Sequence, residues 1–205
     1  MLTGKINVQT ENIFPIIKKF LYSDHEIFLR ELVSNAVDAT QKLKKLASMG
    51  EFQGELGDTK IEVSFDKKKK TITVSDKGVG MTGEEIKKYI NQIAFSGAEE
   101  FVEKFKDKMD GKDIIGKFGL GFYSAFMVAA RVEVLTRSHL PDEQGWRWTS
   151  ENAGGYEIEP APLVPRGTQV VINLKDDARD FAKGDHVRRL FDSAHINLME
   201  IPFAP

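Results

Sequence analysis

The feature that most constrains the fold is one segment, residues 23–47, whose apolar side chains recur at helical spacing around most of a helix. A helix that is apolar nearly all round is buried in a protein core. The same helix carries Glu31, Asn35 and Asp38 at positions i, i+4 and i+7, so these polar side chains line one face. Burying an unpaired carboxylate costs several kcal/mol, and burying an unpaired amide costs about 1–3 kcal/mol. The three groups therefore either pair in an internal polar network or face a wet cavity that takes a ligand.

A carboxylate one turn from a carboxamide suits nucleotide hydrolysis. The side-chain oxygen of Asn35 can bind Mg²⁺, a hard cation that prefers oxygen ligands and retains waters. The carboxylate of Glu31 can orient the water that attacks a γ-phosphate, or accept its proton. The helix thus supplies a candidate catalytic residue, Glu31, and a candidate metal ligand, Asn35.

A glycine-spaced turn, with Asp76, Gly78 and Gly80, directly follows the predicted strand Thr71–Ser75. A carboxylate at a strand end can accept a hydrogen bond from the exocyclic amine of adenine, and the glycines let a flat base approach the backbone. A tight turn that binds nothing is the alternative.

A second glycine-rich loop, Gly116–Gly121, precedes an apolar run over Phe122–Ala130 that we predict to be helical. Free N–H groups and the positive end of a helix dipole favour phosphate at such a place. The spacing superficially matches a dinucleotide-binding fingerprint, but residues 108–115 do not resemble a strand and no βαβ unit follows. It is not a Walker loop either, because no Gly-Lys-Ser/Thr sequence ends it.

The rest of the chain predicts an α+β domain. Alternating residues on either side of Lys67–Lys70 indicate a hairpin with a charged turn. Capping boxes are predicted at Ser23–Glu26, Thr82–Glu85 and Ser96–Glu99. Further strands are predicted over Arg131–Arg137, Trp146–Thr149, Tyr156–Glu159 and Thr168–Leu174, and a helix over 177–197. Because helices and strands do not alternate regularly, we expect an α+β layer rather than a parallel doubly wound sheet.

Composition argues against several classes of function. The chain has 29 Lys and Arg against 31 Asp and Glu, a net charge of -2, which gives no global attraction to nucleic acid or to an anionic membrane. The absence of cysteine excludes disulfides and thiolate metal sites. No apolar stretch approaches the roughly 18 residues of a membrane span, and the first ten residues lack a signal core. We therefore expect a soluble, cytoplasmic protein that binds neither nucleic acid nor membrane.

Four elements stand in order along the chain: Glu31-x-x-x-Asn35, Asp76-x-Gly78-x-Gly80, Gly116-x-x-Gly119-x-Gly121 and Gly167-Thr168. Together they resemble the nucleotide site of the gyrase, heat-shock-90, histidine-kinase and mismatch-repair ATPase superfamily. The segments Tyr22–Ala39 and Gly119–Phe126 are similar to the heat-shock-90 branch, and to its bacterial members in particular. The resemblance implies an N-terminal ATP-binding domain over 1–200 and the start of a linker to a middle domain over 201–205.

The resemblance also implies a fold and an activity. The expected fold is α+β, a two-layer α/β sandwich in which a curved mixed β-sheet is covered on one face by helices, the Bergerat-type ATP-binding fold. The expected activity is hydrolysis of ATP to ADP and phosphate by a heat-shock chaperone that assists the folding of client proteins, with ATP or ADP and Mg²⁺ as cofactors. A lid over 91–122 would close on Mg-ATP, and the full-length protein would be a homodimer.

By the same resemblance, each matching residue acquires a role. Glu31 would be the catalytic carboxylate, and Asn35 would be the ligand linked to Mg²⁺. Asp76 would read adenine, with Thr168 supporting that contact through water. Met81 and Phe122 would pack on the nucleoside, and the amides of Gly119–Phe122 would hold phosphate. The complete nucleotide-binding set is Asn35, Asp38, Asp76, Gly80, Met81, Gly119, Leu120, Gly121, Phe122 and Thr168.

The chain departs from the family at the start of the lid. Phe95 stands where the family commonly has a lysine that can reach phosphate, and Tyr89 stands where asparagine is common. Any such contact is absent here or supplied by another group.

Related functions stay open as alternatives. A histidine-kinase domain transfers phosphoryl to a partner histidine and needs no general base, so Glu31 argues against it. The ATPase domain of a DNA topoisomerase or mismatch-repair protein would share Glu31 and Asn35, but the acidic balance and the sequence of Tyr22–Ala39 disfavour it. A binding domain whose polar stripe forms an internal network is the non-enzymatic alternative.

Overall fold

The structure is a computed structural model, and it describes residues 2–4, 27–90, 121–151 and 155–182. The α-helices in these ranges are α1 (Ile27–Ser48) and α2 (Gly83–Tyr89), and the 3₁₀ helices are Phe122–Met127 and Asp176–Ala182. The strands are β1 (Leu2–Gly4), β2 (Glu62–Asp66), β3 (Thr71–Asp76), β4 (Ala129–Arg137), β5 (Trp146–Glu151), β6 (Gly155–Pro160) and β7 (Gly167–Leu174). None of the described helices is both long and apolar enough to cross a membrane.

The seven strands form one sheet in the order β1-β6-β5-β4-β7-β3-β2. Helix α1 lies against β3, β7 and the first 3₁₀ helix, and its apolar side chains join one core with the inward side chains of the sheet. This helix-on-sheet arrangement confirms the predicted α+β class. The expectation of a mixed sheet was wrong for the part of the chain described, where every strand pairing is antiparallel. Short connections such as the one between β2 and β3 reverse the chain, and a parallel neighbour would need a long crossover.

Helix α1 is buried along one face only, so the expectation of a helix buried nearly all round was too broad; residues such as Asn35, Gln41 and Lys44 are exposed. Phe28, Leu29 and Leu43 are at most 1% exposed, and Thr40 on the same helix is buried with its hydroxyl bonded to the carbonyl of Ala36. The helix ends in a Schellman motif, with the amide of Glu51 bonded to the carbonyl of Leu46 and that of Gly50 to the carbonyl of Ala47. Gly50 follows the apolar segment 23–47 and has a φ of +75°, a left-handed conformation typical of the residue that ends a helix.

Two local predictions are confirmed in the hairpin and in α2. The carboxylate of Asp66 accepts hydrogen bonds from the amides of Lys68 and Lys69, which closes the charged turn between β2 and β3. Thr82 and Glu85 form the predicted capping box at the start of α2. The capping boxes at Ser23 and Ser96, the boundary at residue 200 and the linker over 201–205 lie outside the described residues and stay predictions.

Two helix predictions need correction. The apolar run over Phe122–Ala130 forms a 3₁₀ helix only to Met127, and β4 begins at Ala129. Tyr123, Phe126, Val128 and Ala129 are all buried, so the run is apolar on every side and carries no period that separates helix from strand. The helix predicted over 177–197 is a 3₁₀ helix over Asp176–Ala182 in the described residues, and the remainder of that range lies outside them.

The turn after β3 is packed between α1 and the end of β4. A Cβ on Gly78 would lie 2.5 Å from the carbonyl carbon of Ala39, and the amide of Val79 donates to the Ala39 carbonyl oxygen at 3.2 Å. Gly80 has a φ of +61°, and a Cβ on it would lie 1.8 Å from the carbonyl oxygen of Arg137. No side chain fits between the turn and these two backbones, so the turn holds α1 and β4 in place.

We predict that Gly80→Ala destabilises the fold by about 3 kcal/mol, since it adds about 1–2 kcal/mol of left-handed backbone strain to the cost of overpacking. Gly57→Ala is the matched control, because Gly57 has a φ of +63° but no atom within 4 Å of an added Cβ. The control should lose only the backbone cost of about 1–2 kcal/mol. Urea denaturation measures both, and equal losses would contradict the close approach of Gly80 to β4.

Candidate functional site

A cavity of about 730 Å³ opens between α1, the turn after β3 and the strands β3, β4 and β7. Seven of the residues predicted to bind a nucleotide line it: Asn35, Asp38, Asp76, Gly80, Met81, Phe122 and Thr168. Its apolar lining comes from both layers of the fold, with Leu32 and Ala36 on the helix and Val74, Val134 and Val170 on the sheet. The structure thus brings together residues from four distant parts of the sequence. A cavity of this volume falls in the range of small-molecule sites.

Asp76 lies at the floor of the cavity, where β3 pairs with β7. It is directly opposite Thr168 in the antiparallel register and only 9% exposed. Its Oδ1 accepts a hydrogen bond from the amide of Gly78 at 2.8 Å, and the carboxylate also accepts from the amide of Thr168. Burial raises the pKa of Asp76 to about 6, because the two backbone donors only partly offset the loss of water. Near neutral pH the carboxylate is therefore mainly ionised and acts as a hydrogen-bond acceptor at the bottom of an apolar pocket.

A buried hydroxyl beside Thr168, one strand further from Asp76, was missed by the sequence analysis. Thr136 on β4 is fully buried, and its Oγ1 is 3.0 Å from the amide of Met81, 2.9 Å from the carbonyl oxygen of Gly167 and 3.0 Å from Oγ1 of Thr168. It ties the turn after β3 to the start of β7. The sequence did indicate that Thr136 faces the core, because it continues the alternation of the inward residues Val132 and Val134.

The walls of the cavity are set by aromatic and backbone packing. The ring of Phe122 lies edge-on to that of Trp148, with centroids 5.6 Å apart, and is partly buried against the core. Met81 also lines the cavity, and its amide donates a hydrogen bond to Thr136. Such side chains offer apolar contacts to a flat ring, while Asp76 supplies a polar contact that can orient it.

Glu31 lies near the N-terminal end of α1, whereas the turn after Asp76 packs against Ala39 in the middle of the helix, and Glu31 is not among the residues that line the cavity. A Cβ on Gly121 would lie 2.6 Å from Oε2 of Glu31, so the carboxylate packs directly against the backbone of this loop. Arg30 is 3.9 Å from Oε1 of Glu31. Burial raises the pKa of Glu31, and the positive charge of Arg30 partly opposes that rise. A raised pKa suits a group that takes up a proton.

The polar stripe continues further along α1 than the sequence analysis recognised. Lys42 and Lys45 follow Asp38 at the same spacing and line the cavity, as does His139, which follows β4. The sequence contains this pattern, since Asp38 and Lys42 are an i, i+4 pair on the predicted helix. Gly119, Leu120, Phe95, Lys117 and nearly all of the predicted lid lie outside the described residues.

The raised pKa of Asp76 predicts a pH-dependent stability. In the unfolded chain this carboxyl titrates near 3.8, and in the folded protein near 6, a difference worth about 3 kcal/mol. The folded state binds the proton more tightly, so stability is gained as pH falls from about 6 to 4 and lost as pH rises through that window. Asp76→Asn keeps an acceptor for Gly78 but no charge, so the ligand-free variant should be more stable at pH 7.5, by up to that amount.

Urea denaturation between pH 4 and pH 8 measures the difference between the two proteins. Asp58→Asn is the control, because Asp58 is exposed and, within the described part of the chain, pairs only with Lys60, so its removal should change stability by less than about 1 kcal/mol. A wild-type protein whose stability follows that of Asp76→Asn across this range would contradict a buried charge.

Comparison with known proteins identifies the family. A family model described as histidine kinase-, DNA gyrase B- and HSP90-like ATPase matches residues 22–171. The chain is 59% identical over 187 residues, 91% of its length, to chaperone protein HtpG of Porphyromonas gingivalis strain W83, covering 27% of that protein. It is 55% identical over 204 residues to chaperone protein HtpG of Bacteroides thetaiotaomicron, covering all of the chain and 29% of that protein. A third relative, chaperone protein HtpG of Desulfitobacterium hafniense, is 41% identical over 191 residues, with 92% and 31% covered.

The chain therefore spans less than a third of the length of these relatives. The family match covers most of the chain, however, and it includes α1, Asp76 and Thr168, which are the parts that build the cavity. The chain belongs to the histidine kinase-, DNA gyrase B- and HSP90-like ATPase family.

Proposed function

We propose that residues 1–200 are the N-terminal domain of an HtpG-type molecular chaperone, and that this domain binds and hydrolyses ATP. The observation that carries the proposal is the buried carboxylate of Asp76 at the floor of an apolar cavity, under a helix that carries Asn35 and Glu31. The names of relatives 55–59% identical to the chain support the chaperone class. The alternative of a DNA topoisomerase or mismatch-repair ATPase lacks such support. Salt-dependent binding of DNA would favour that alternative.

In the proposed complex, adenine enters the cavity with its amine toward Asp76. The carboxylate has two backbone donors and keeps further acceptor capacity for a ligand. Phe122 and Met81 contact the nucleoside, and Gly80 allows the base to approach the backbone of the turn. The phosphates extend along α1 toward Asn35, which is exposed on that face of the helix. Gly119, Leu120 and Gly121 hold them through their amides, with Asp38 near the ribose.

Hydrolysis is proposed at the Glu31 end of α1. Water attacks the γ-phosphorus, the bond to the β,γ-bridging oxygen breaks, and ADP leaves. Glu31 takes the proton of the attacking water, which its partly buried environment favours. Mg²⁺ would supply positive charge to the phosphates. Asn35 fits this ion, since one protein oxygen with phosphate and water ligands meets the preferences of Mg²⁺.

The remaining parts of the proposal concern the whole protein. Residues 91–122 would form a lid that closes on Mg-ATP, and residues 201–205 would begin a linker to a middle domain. The full-length chaperone would be a cytoplasmic homodimer that binds unfolded or partly folded client proteins. We propose that it binds neither nucleic acid nor membrane; the net charge of -2 of these 205 residues gives this domain no global attraction to either.

Adenine recognition is tested by Asp76→Asn. The amide can turn a donor toward the exocyclic amine, so ADP binding should weaken by on the order of 2 kcal/mol or more. Calorimetry at pH 8, where the wild-type carboxylate is ionised, measures the affinity. Because the variant should be at least as stable as the wild type, lost binding cannot be attributed to unfolding. Asp58→Asn is again the control, and unchanged ADP affinity in Asp76→Asn would remove the assignment.

The catalytic role of Glu31 is tested in the full-length protein by Glu31→Gln. Loss of a general base should slow hydrolysis about 10²- to 10⁴-fold while ATP affinity changes little. Glu62→Gln is the control, because Glu62 is exposed on β2 and does not line the cavity. Turnover and ATP binding are measured at equal nucleotide occupancy. Normal turnover per bound ATP in Glu31→Gln would assign the residue a structural role.

A further inference from the structure

The buried hydroxyl of Thr136 has three polar neighbours and one proton. Its Oγ1 lies 3.0 Å from the amide nitrogen of Met81, 2.9 Å from the carbonyl oxygen of Gly167 and 3.0 Å from Oγ1 of Thr168. A hydroxyl donates one hydrogen bond and accepts two. Thr136 is fully buried, so water does not compete for these contacts. Its hydrogen bonding must therefore be satisfied by these three partners.

Only one arrangement of protons satisfies all three contacts. The amide of Met81 has only a proton to offer, so Thr136 accepts there. The carbonyl of Gly167 has only lone pairs, so the proton of Thr136 must point to it, since two acceptor oxygens 2.9 Å apart would repel each other. The remaining lone pair of Thr136 faces the hydroxyl of Thr168. The Thr168 hydroxyl must therefore donate to Thr136.

This arrangement determines what Thr168 can offer a ligand. With its only proton held by Thr136, Oγ1 of Thr168 retains lone pairs alone, and Thr168 lines the cavity directly opposite Asp76 in the β3–β7 register. The ionised carboxylate of Asp76 is also an acceptor. This corner of the cavity thus presents acceptors from two neighbouring side chains and no hydroxyl donor.

We infer that Thr136 is a positioning residue for base selectivity: by holding the proton of Thr168, it makes this corner accept a purine 6-amino group and reject a 6-oxo group. The inference rests on the proposed function, in which the purine edge faces Asp76. A 6-amino group donates hydrogen bonds, whereas a 6-oxo group places another acceptor against Thr168. An unpaired polar contact in a buried site is costly, which is how such sites discriminate between close analogues.

The test measures dissociation constants for ADP and for inosine 5′-diphosphate, which carries the 6-oxo group, by calorimetry at pH 8. The wild type should bind ADP much more tightly. In Thr136→Val the Thr168 hydroxyl is free to rotate and donate to the 6-oxo group, so the preference for ADP should fall about tenfold. Thr136→Ser keeps the hydroxyl and should restore the preference. Thr40→Val is the matched control, because Thr40 is also buried but its hydroxyl bonds to the carbonyl of Ala36 in the same helix rather than to a group at the cavity.

A double substitution separates the effect on Thr168 from a general loosening of the site. In a Thr168→Val background no hydroxyl remains to be oriented, so adding Thr136→Val should leave the ratio of the two dissociation constants unchanged. A Thr136→Val protein that binds both nucleotides more weakly by the same factor would overturn the inference and leave Thr136 a structural role. A wild type that binds neither nucleotide would instead overturn the proposed function.

Nuclear magnetic resonance of the wild type gives a readout that needs no variant. The hydroxyl proton of Thr168 should exchange slowly with water and show an Overhauser contact to the side chain of Thr136. A Thr168 hydroxyl proton in fast exchange would overturn the inference, even if Thr136→Val does not fold.

Discussion

The burial of one carboxylate, Asp76, sets the requirements that the surrounding structure meets. A charge at the floor of an apolar cavity is unfavourable, and the fold offsets this with the amides of Gly78 and Thr168. The Gly78 donor is available only because the turn closes tightly back on the strand end, and the Thr168 donor only because β7 pairs with β3 in this register. The two amides offset only part of the free-energy cost of burying the charge. Because of the remaining cost, the carboxylate gains from a further hydrogen-bond donor on a ligand. The buried charge thus lowers the stability of the ligand-free protein at the same place where it favours binding of a ligand.

Close backbone approach makes this arrangement rigid. Gly78 contacts the backbone of α1, Gly80 contacts the carbonyl of Arg137, and a Cβ on Gly167 would lie 2.2 Å from the carbonyl oxygen of Asp76. Outside this ring of contacts, the guanidinium of Arg166 donates to the carbonyl oxygens of Lys77, Glu55 and Leu56. The turn that holds Asp76 is therefore fixed from the helix, the sheet and the following loop at once. A preorganised site of this kind loses little entropy when a ligand binds.

Helix α1 determines the direction in which the polar part of the site extends. Its polar residues recur on one face, so Glu31 lies near Gly121, while Asn35, Asp38 and Lys42 follow along the cavity. A ligand that contacts Asp76 at one end and reaches Glu31 at the other must be elongated, with an apolar ring at the sheet and a polar tail along the helix. Because the two ends are separate, the contacts that hold the ring can be altered by mutation without altering Glu31, the group proposed to act on water.

The sequence alone determined the parts of the protein that follow from local rules. The amphipathic period of α1, its stop at Gly50, the hairpin over Lys67–Lys70 and the capping box at Thr82 each depend on neighbours in the chain. Ordered motifs also indicated seven of the residues that line the cavity. The alternation of β4 placed Thr136 on the inward face, but alternation does not say which groups meet a hydroxyl across the sheet.

Tertiary structure decided what depends on contacts between distant segments. The three partners of Thr136 come from two other segments of the chain, and its role follows only from the β4–β7 register. Tertiary contacts also decided the antiparallel pairing throughout the described sheet. They decided the switch from 3₁₀ helix to strand after Met127 as well, since an apolar run is compatible with either structure until neighbouring strands form. The approach of Gly121 to Glu31 likewise joins segments 90 residues apart in number. Sequence spacing specifies which face of an element is buried. Hydrogen-bond partners across the core depend instead on how distant segments pack, and no single segment of the sequence specifies that packing.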